Sequence, residues 1–140
     1  VFADQTAAKY DITRAEQDAY AIRSYQNAAL NTENGVLSNE IVGVCVPQRR
    51  GEPRLILEDE EYKNVKFEKI PQLRAAFSPT GTVTAANAST MNDGAAALIL
   101  ASAAAVKKYD LKPLAKILSF ADTAHEPAWF TTAPTHAAPK

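Results

Sequence analysis

The sequence predicts an α/β fold. An apolar run at 95–101, a helix signal opening at Ser102 and an alternating stretch at 114–121 read as strand, helix, strand. Further upstream, a helix with paired start signals from Thr13 precedes an alternating segment at 40–46. A boundary near 77–81 separates a polar, charged first part from an Ala-rich second part.

Taken in order, residues 1–9 are Ala-rich and form the tail of a helix that ends near Tyr10 and Asp11. Thr13-Arg14-Ala15-Glu16 fits a capping box, in which the Thr13 hydroxyl accepts from first-turn amides and Glu16 reaches back. The helix runs to about Leu30, with Ala15, Ala19, Ile22, Gln26 and Ala29 expected on its buried face, and Asn34-Gly35 stops it. In 40–46, Ile41, Gly43 and Cys45 alternate with Val42, Val44 and Val46, as in a strand buried on both faces or nearly so. Pro47 and the basic patch after it make a turn, and 54–58 is a second short strand that can pair with the first as a hairpin.

Asp59, Glu60 and Glu61 form an acidic group, followed by Lys63, Lys66 and Lys69 interleaved with Tyr62, Val65 and Phe67. Pro71 and Pro79 bound a short helix or turn at 72–77. Ser102 caps a helix over 103–109 whose last turn carries Lys107 and Lys108, where cations suit the dipole. Pro113 ends the connection, 123–127 is a loop, and 131–140 begins another helix.

A length of 140 residues, 46% of them hydrophobic, fits one domain or one half of two. A net charge of −1 offers no field for nucleic acid or an anionic membrane. No run approaches the roughly 18 apolar residues of a spanning helix. A lone cysteine excludes an internal disulfide and suits a reducing compartment. The start at Val1 without Met and the stop at Lys140 inside a helical run are those of a segment of a longer chain.

The stretch at 81–100, GTVTAANASTMNDGAAALIL, organises the rest. Its first residues are extended. The next nine, Ala85 to Asp93, carry almost no bulk, so many backbone groups must find partners outside their own side chains. Such a run is either a surface turn feeding a core strand or a tight loop whose amides and carbonyls face a ligand; the scarcity of charge argues for the loop. The apolar 95–101 is a buried strand or a buried helix turn, which periodicity alone does not separate.

Other candidates carry less chemistry. Cys45, among valines, reads as a buried inert thiol. His125 and His136 have no His or Glu at metal-ligand spacing and read as surface residues. Asn87-Ala88-Ser89 is formally a glycosylation sequon, which the reducing composition disfavours.

The stretch TVTAANASTMNDGAAALIL resembles the thiolase family, in which a T-A-(A/G)-N-A-S-x-x-N/S-D-G-A-A-A run opens the C-terminal half. ITRAEQDAYAIRSYQNA and DEEYKNVKFEKIPQLRAAF before it, then PLAKILSFADTAHEP and FTTAP after it, extend the likeness over nearly the whole chain in family order. Within the family the likeness is to acetoacetyl-CoA thiolases, or acetyl-CoA acetyltransferases.

The resemblance implies a thiolase-like mixed sheet covered by helices, with 1–78 ending the loop region and first half and 79–140 opening the C-terminal half. It implies condensation of two acetyl-CoA to acetoacetyl-CoA, or the reverse. A 3-ketoacyl-CoA thiolase of fatty-acid oxidation and a non-catalytic CoA-binding module are the alternatives. It carries coenzyme A contacts onto Tyr25, Asn64, Val65, Lys66, Lys69 and Ser89, and potassium ligands onto Tyr25 and the backbone of Ala85, Ala86 and Ala88. Asn64 stands where the family commonly has Arg, and Lys66 where it has Asp. No catalytic residue is assigned: Cys45 matches neither family cysteine, and neither histidine matches the family's G-H-P motif. The potassium pattern points to a mitochondrial enzyme of ketone-body and lipid metabolism, FTTAP to cytosolic relatives, and the family is usually homotetrameric.

Overall fold

Helix α1 spans Phe2–Lys9 in the computed structural model, which describes residues 2–140. Its end is closed by N–H bonds from Tyr10 to Thr6 O and from Ile12 to Ala7 O, with Asp11 at φ 53° turning the chain. The capping box then starts α2 as expected. Thr13 Oγ1 accepts from the Glu16 N–H at 3.2 Å, and the Thr13 N–H donates to Glu16 Oε2 at 2.8 Å. Helix α2 covers Arg14–Glu33, somewhat longer than the sequence suggests, and ends at Asn34 with Gly35 at φ 67°.

The buried stripe of α2 differs from the expected one. Asp18 and Ala21 are buried, with Arg14, Gln17, Ile22, Tyr25 and Ala29 half-buried, whereas Ala15, Ala19 and Gln26 are exposed. Alanines suit either face of a helix, so they did not locate it. The buried carboxylate, with its partners, did.

Strands β1 (Val44–Val46) and β2 (Arg54–Ile56) pair antiparallel in the register Val44↔Ile56, Cys45↔Leu55 and Val46↔Arg54. The hairpin is as expected, but it is shorter, and β1 is exposed rather than buried on both faces. A two-stranded ribbon has no layer over it here, so Cys45 is an exposed thiol. Helix α3 (Glu61–Asn64) and a 3-10 segment (Phe67–Gln72, containing Pro71) follow, and both pack against α2. Ile70 is the fully buried apolar anchor of this region, and Ala7, Ala21 and Val83 complete the small core.

The trace divides into two compact units, one of residues 3–89 and one of 90–140 with Phe2. In the second unit, α4 (Ala103–Lys108) begins where Ser102 Oγ accepts from the Ala105 N–H, as expected. A 3-10 segment (Pro127–Thr132) leads into α5 (Ala133–Ala137). The flanking strands do not form. Among the described residues, 89–101 and 112–125 make no backbone–backbone hydrogen bond, and Leu98, Ile99, Leu114 and Phe120 are each at least 91% exposed. A continuous apolar strand needs ladder partners and cover on both faces, and the described residues supply neither. Among the described residues, no helix is long and apolar enough to cross a membrane.

Candidate functional site

The site is built around residues 81–89, which the first unit grips from several sides. The Asp4 carboxylate of α1 accepts from the N–H groups of Thr82 at 2.9 Å and Val83 at 3.1 Å. Gln17 of α2 donates its side-chain amide to Thr82 Oγ1 at 2.9 Å, and Val83 O accepts from the Ala76 N–H at 2.8 Å. Gly81 allows the approach: a Cβ there would lie 2.8 Å from Asp4 Oδ1.

Beyond this grip the chain makes one tight turn. The Ala88 N–H donates to Thr84 O at 3.0 Å, closing a single helical turn that does not continue. Thr84, fully buried, accepts on its hydroxyl from the N–H groups of Ala86 and Asn87 at 3.3 and 3.4 Å. The Thr84 N–H in turn donates to Asn87 Oδ1 at 2.7 Å. The amides of Thr84, Ala86, Asn87 and Ala88 are thus all used within the turn. Among the described residues, no donor reaches the carbonyls of Ala85, Ala86, Asn87 or Ala88. These are the free acceptors of a helical turn's C-terminal end, the end that carries partial negative charge.

One side chain ties the turn to α2. Asn87 Nδ2 donates to Thr82 O and to Asp18 Oδ1, both at 3.0 Å. Asp18, 5% exposed, receives Arg14 Nε on its other oxygen at 2.7 Å. Arg14 Nη2 continues to Ile70 O at 2.8 Å and Leu73 O at 3.1 Å. A carboxylate this deep needs a paired charge and hydrogen bonds on both oxygens, and it has them. The same bonds occupy the Asn87 side chain on both of its atoms, which removes it as a glycan acceptor.

Tyr25 lies on the same stripe of α2, seven residues past Asp18 and therefore about 10 Å further along the axis. It is half-buried. Burial lifts its phenol above the ordinary value, and the Glu61 carboxylate at the start of α3 adds to the rise, so the hydroxyl stays neutral at physiological pH. The lysine segment is carried on elements that pack against α2. Val65 is half-buried between α3 and the 3-10 segment, while Asn64, Lys66 and Lys69 project from exposed positions. Of the turn's own candidates, Ala86 and Ala88 are half-buried, and Ala85 and Ser89 are exposed.

The structure therefore brings Tyr25, residues 64–69 and the 84–88 turn onto elements attached to one helix. It leaves out Cys45, on the exposed hairpin. His125 and His136 are exposed, as expected, with ring centroids 5.1 Å apart. Lys63 pairs with Glu58 at the surface, and that hydrogen bond raises its pKa. Among the described residues, no group of three or more metal-ligating side chains occurs, so a cation here would depend on backbone oxygens. Of the frame of the site, the sequence singled out Asn87 only as a sequon and Arg14 only within the capping box, and Asp18 and Thr84 not at all. The spacing Arg14 to Asp18 was the one available signal.

The profile described as the thiolase N-terminal domain matches residues 1–104. A mitochondrial acetyl-CoA acetyltransferase of Danio rerio is 51% identical over 140 residues, covering 99% of this chain and 33% of its own length. An acetyl-CoA acetyltransferase of Schizosaccharomyces pombe is 51% identical over 139 residues, covering 99% and 35%. Among solved structures, a thiolase from Ascaris suum in complex with coenzyme A superposes with a TM-score of 0.90 at 46% identity, over 99% of this chain and 35% of that one. A Bacillus anthracis acetyl-CoA acetyltransferase gives 0.89 at 33% identity, over 99% and 36%. The chain spans about a third of the length of the relatives it matches.

Proposed function

The chain belongs to the thiolase family and follows part of the thiolase-like α/β fold; on that premise we propose that it serves a thiolase that condenses two acetyl-CoA to acetoacetyl-CoA or cleaves the product. The observation that carries the proposal is the superposition, along nearly the whole chain, on a thiolase solved with coenzyme A bound. In this reading residues 1–78 close the first half of the enzyme and 79–140 open the second. The assembly is a mitochondrial homotetramer.

These residues bind rather than react. Lys69 and Lys66, on flexible stems, meet coenzyme A phosphates as point charges. Val65 gives an apolar contact, Asn64 a polar one, and Ser89 sits where the turn releases the chain. The turn itself fits a potassium ion. A large hard cation takes neutral oxygens, and the free carbonyls of Ala85, Ala86 and Ala88 with the neutral Tyr25 hydroxyl are such a set. A bound potassium ion would supply fixed positive charge against those carbonyl dipoles, steadying the turn and Ser89 beside it. No catalytic group is assigned to this chain: acyl transfer through a cysteine thioester and proton movement by a histidine and a second cysteine fall to other parts of the enzyme.

The test is thiolysis of acetoacetyl-CoA by a full-length protein bearing these residues, in potassium and in sodium. Stimulation by potassium over sodium is expected, and Lys69→Ala should raise KM for coenzyme A several-fold with kcat retained. Full activity indifferent to the ion would remove the potassium ligands. Activity of these 140 residues alone would contradict the assignment of the chemistry elsewhere.

A further inference from the structure

The 84–88 turn is joined to α2 through one contact, Asn87 Nδ2 to Asp18 Oδ1 at 3.0 Å. All the turn's other hydrogen bonds stay within residues 82–88. On the helix side the contact meets a carboxylate that is 5% exposed and pinned by Arg14, itself fixed to Ile70 O and Leu73 O. Tyr25 stands on the same stripe of the same helix. Upstream, Gln17 of the same helix holds Thr82, so the Asp18–Asn87 contact is the bridge that acts on the turn itself and fixes its carbonyls relative to the helix that carries Tyr25.

We propose that Asp18 and Asn87 are positioning residues for a monovalent cation, holding the carbonyls of Ala85, Ala86 and Ala88 at a fixed separation from Tyr25 and so setting which ion fits. The inference rests on the reading of the turn as a potassium site. The charge of Asp18 is offset by Arg14 in a direct ion pair, so its contribution is geometric rather than attractive. Geometry matters for selectivity because neutral oxygens favour a large ion over a small one only while they are kept from closing in. A loosened turn would wrap sodium nearly as well.

Polarity explains what each substitution does. In Asp18→Asn the new amide keeps its oxygen toward Arg14 and turns its NH2 toward the Asn87 NH2, replacing an attraction by a repulsion. Asn87→Asp leaves an acceptor for the Thr84 N–H but sets one carboxylate against another. Combining the two restores a donor facing an acceptor. In the full-length protein, each single variant is expected to raise the half-activating potassium concentration about tenfold, the size of one charge-assisted hydrogen bond. Each should also narrow the preference for potassium over sodium, with kcat at saturating potassium within about twofold of the unmodified protein. The double variant should recover only part of the shift, because the carboxylate at position 87 still faces Thr82 O, which accepts from Asn87 Nδ2 in the unmodified protein.

A purely structural role predicts lower kcat at every potassium concentration, with half-activation and selectivity unmoved; that result would overturn the proposal. Potassium activation in the unmodified protein with unchanged constants in both variants would overturn it while leaving the site reading intact. An unmodified protein indifferent to potassium would remove both. Amide exchange in the unmodified protein needs no variant: potassium should slow exchange at Asn87 and Ala88, and unchanged exchange in an enzyme that potassium activates would count against the proposal.

Discussion

Residues 81–89 and 90–101 are consecutive, poor in charge and rich in small side chains, yet they have opposite fates. The first is held by Asp4, Gln17 and Asp18, and buries Val83 and Thr84. The second makes no backbone–backbone hydrogen bond among the described residues and exposes Leu98 and Ile99 almost completely. The polar loop finds donors and acceptors on helices of its own unit, whereas the apolar run needs a neighbouring strand that this chain does not provide. Side chains able to hydrogen-bond can order a loop against two helices. Hydrophobicity alone does not order a strand without a sheet.

Breaking the held side of this comparison should have the largest effect. Asp18→Ala strands the half-buried Arg14 guanidinium and the Asn87 amide, and should destabilise the fold by about 3 kcal/mol in denaturant unfolding. Gly81→Ala drives a Cβ into the Asp4 carboxylate that serves two amides, with an expected cost of about 1–2 kcal/mol and faster exchange at Thr82 and Val83. Thr13→Ala removes the cap of α2 and should cost less than Gly81→Ala.

The cap also has a pH signature. The hydrogen bonds from Thr13 hold the Glu16 carboxyl below its ordinary value of 4.5. A lowered folded-state pKa contributes stability that is complete above 4.5 and lost as pH falls through the lowered value. Glu16→Gln should flatten that acid limb in helicity followed by circular dichroism. Smallest of all, Ile99→Asp should change the stability of this 140-residue chain by no more than about 0.5 kcal/mol, because the side chain is 95% exposed. A larger loss would mean that 90–101 is covered within the chain and would erase the comparison.

Local chemistry was legible in the sequence where its partners lie within a few residues. Thr13 with Glu16, Ser102 with Ala105, and the stop at Asn34-Gly35 all appear as read. The hairpin was legible in its pairing but not its exposure, because alternation reports two faces and not what covers them. The buried face of α2 was misread for a related reason. Asp18 inside a helix looks solvent-facing until Asn87, 69 residues away, supplies its partner. The small-residue run at Ala85 to Ser89 pointed to a ligand loop, but its frame came from residues that look ordinary singly. The strands expected at 95–101 and 114–121 do not form: apolar alternation reports a segment that wants cover, and among the described residues neither ladder partners nor cover reach either one.

The proposed cation site joins the 84–88 turn and Tyr25 around one monovalent ion. The most direct measurement is a crystal structure of the full-length protein with thallium replacing potassium, located by anomalous scattering. A single strong peak is expected in contact with the carbonyl oxygens of Ala85, Ala86 and Ala88 and with the Tyr25 hydroxyl. An enzyme still activated by thallium, with its peak bound elsewhere and those carbonyls uncoordinated, would contradict it.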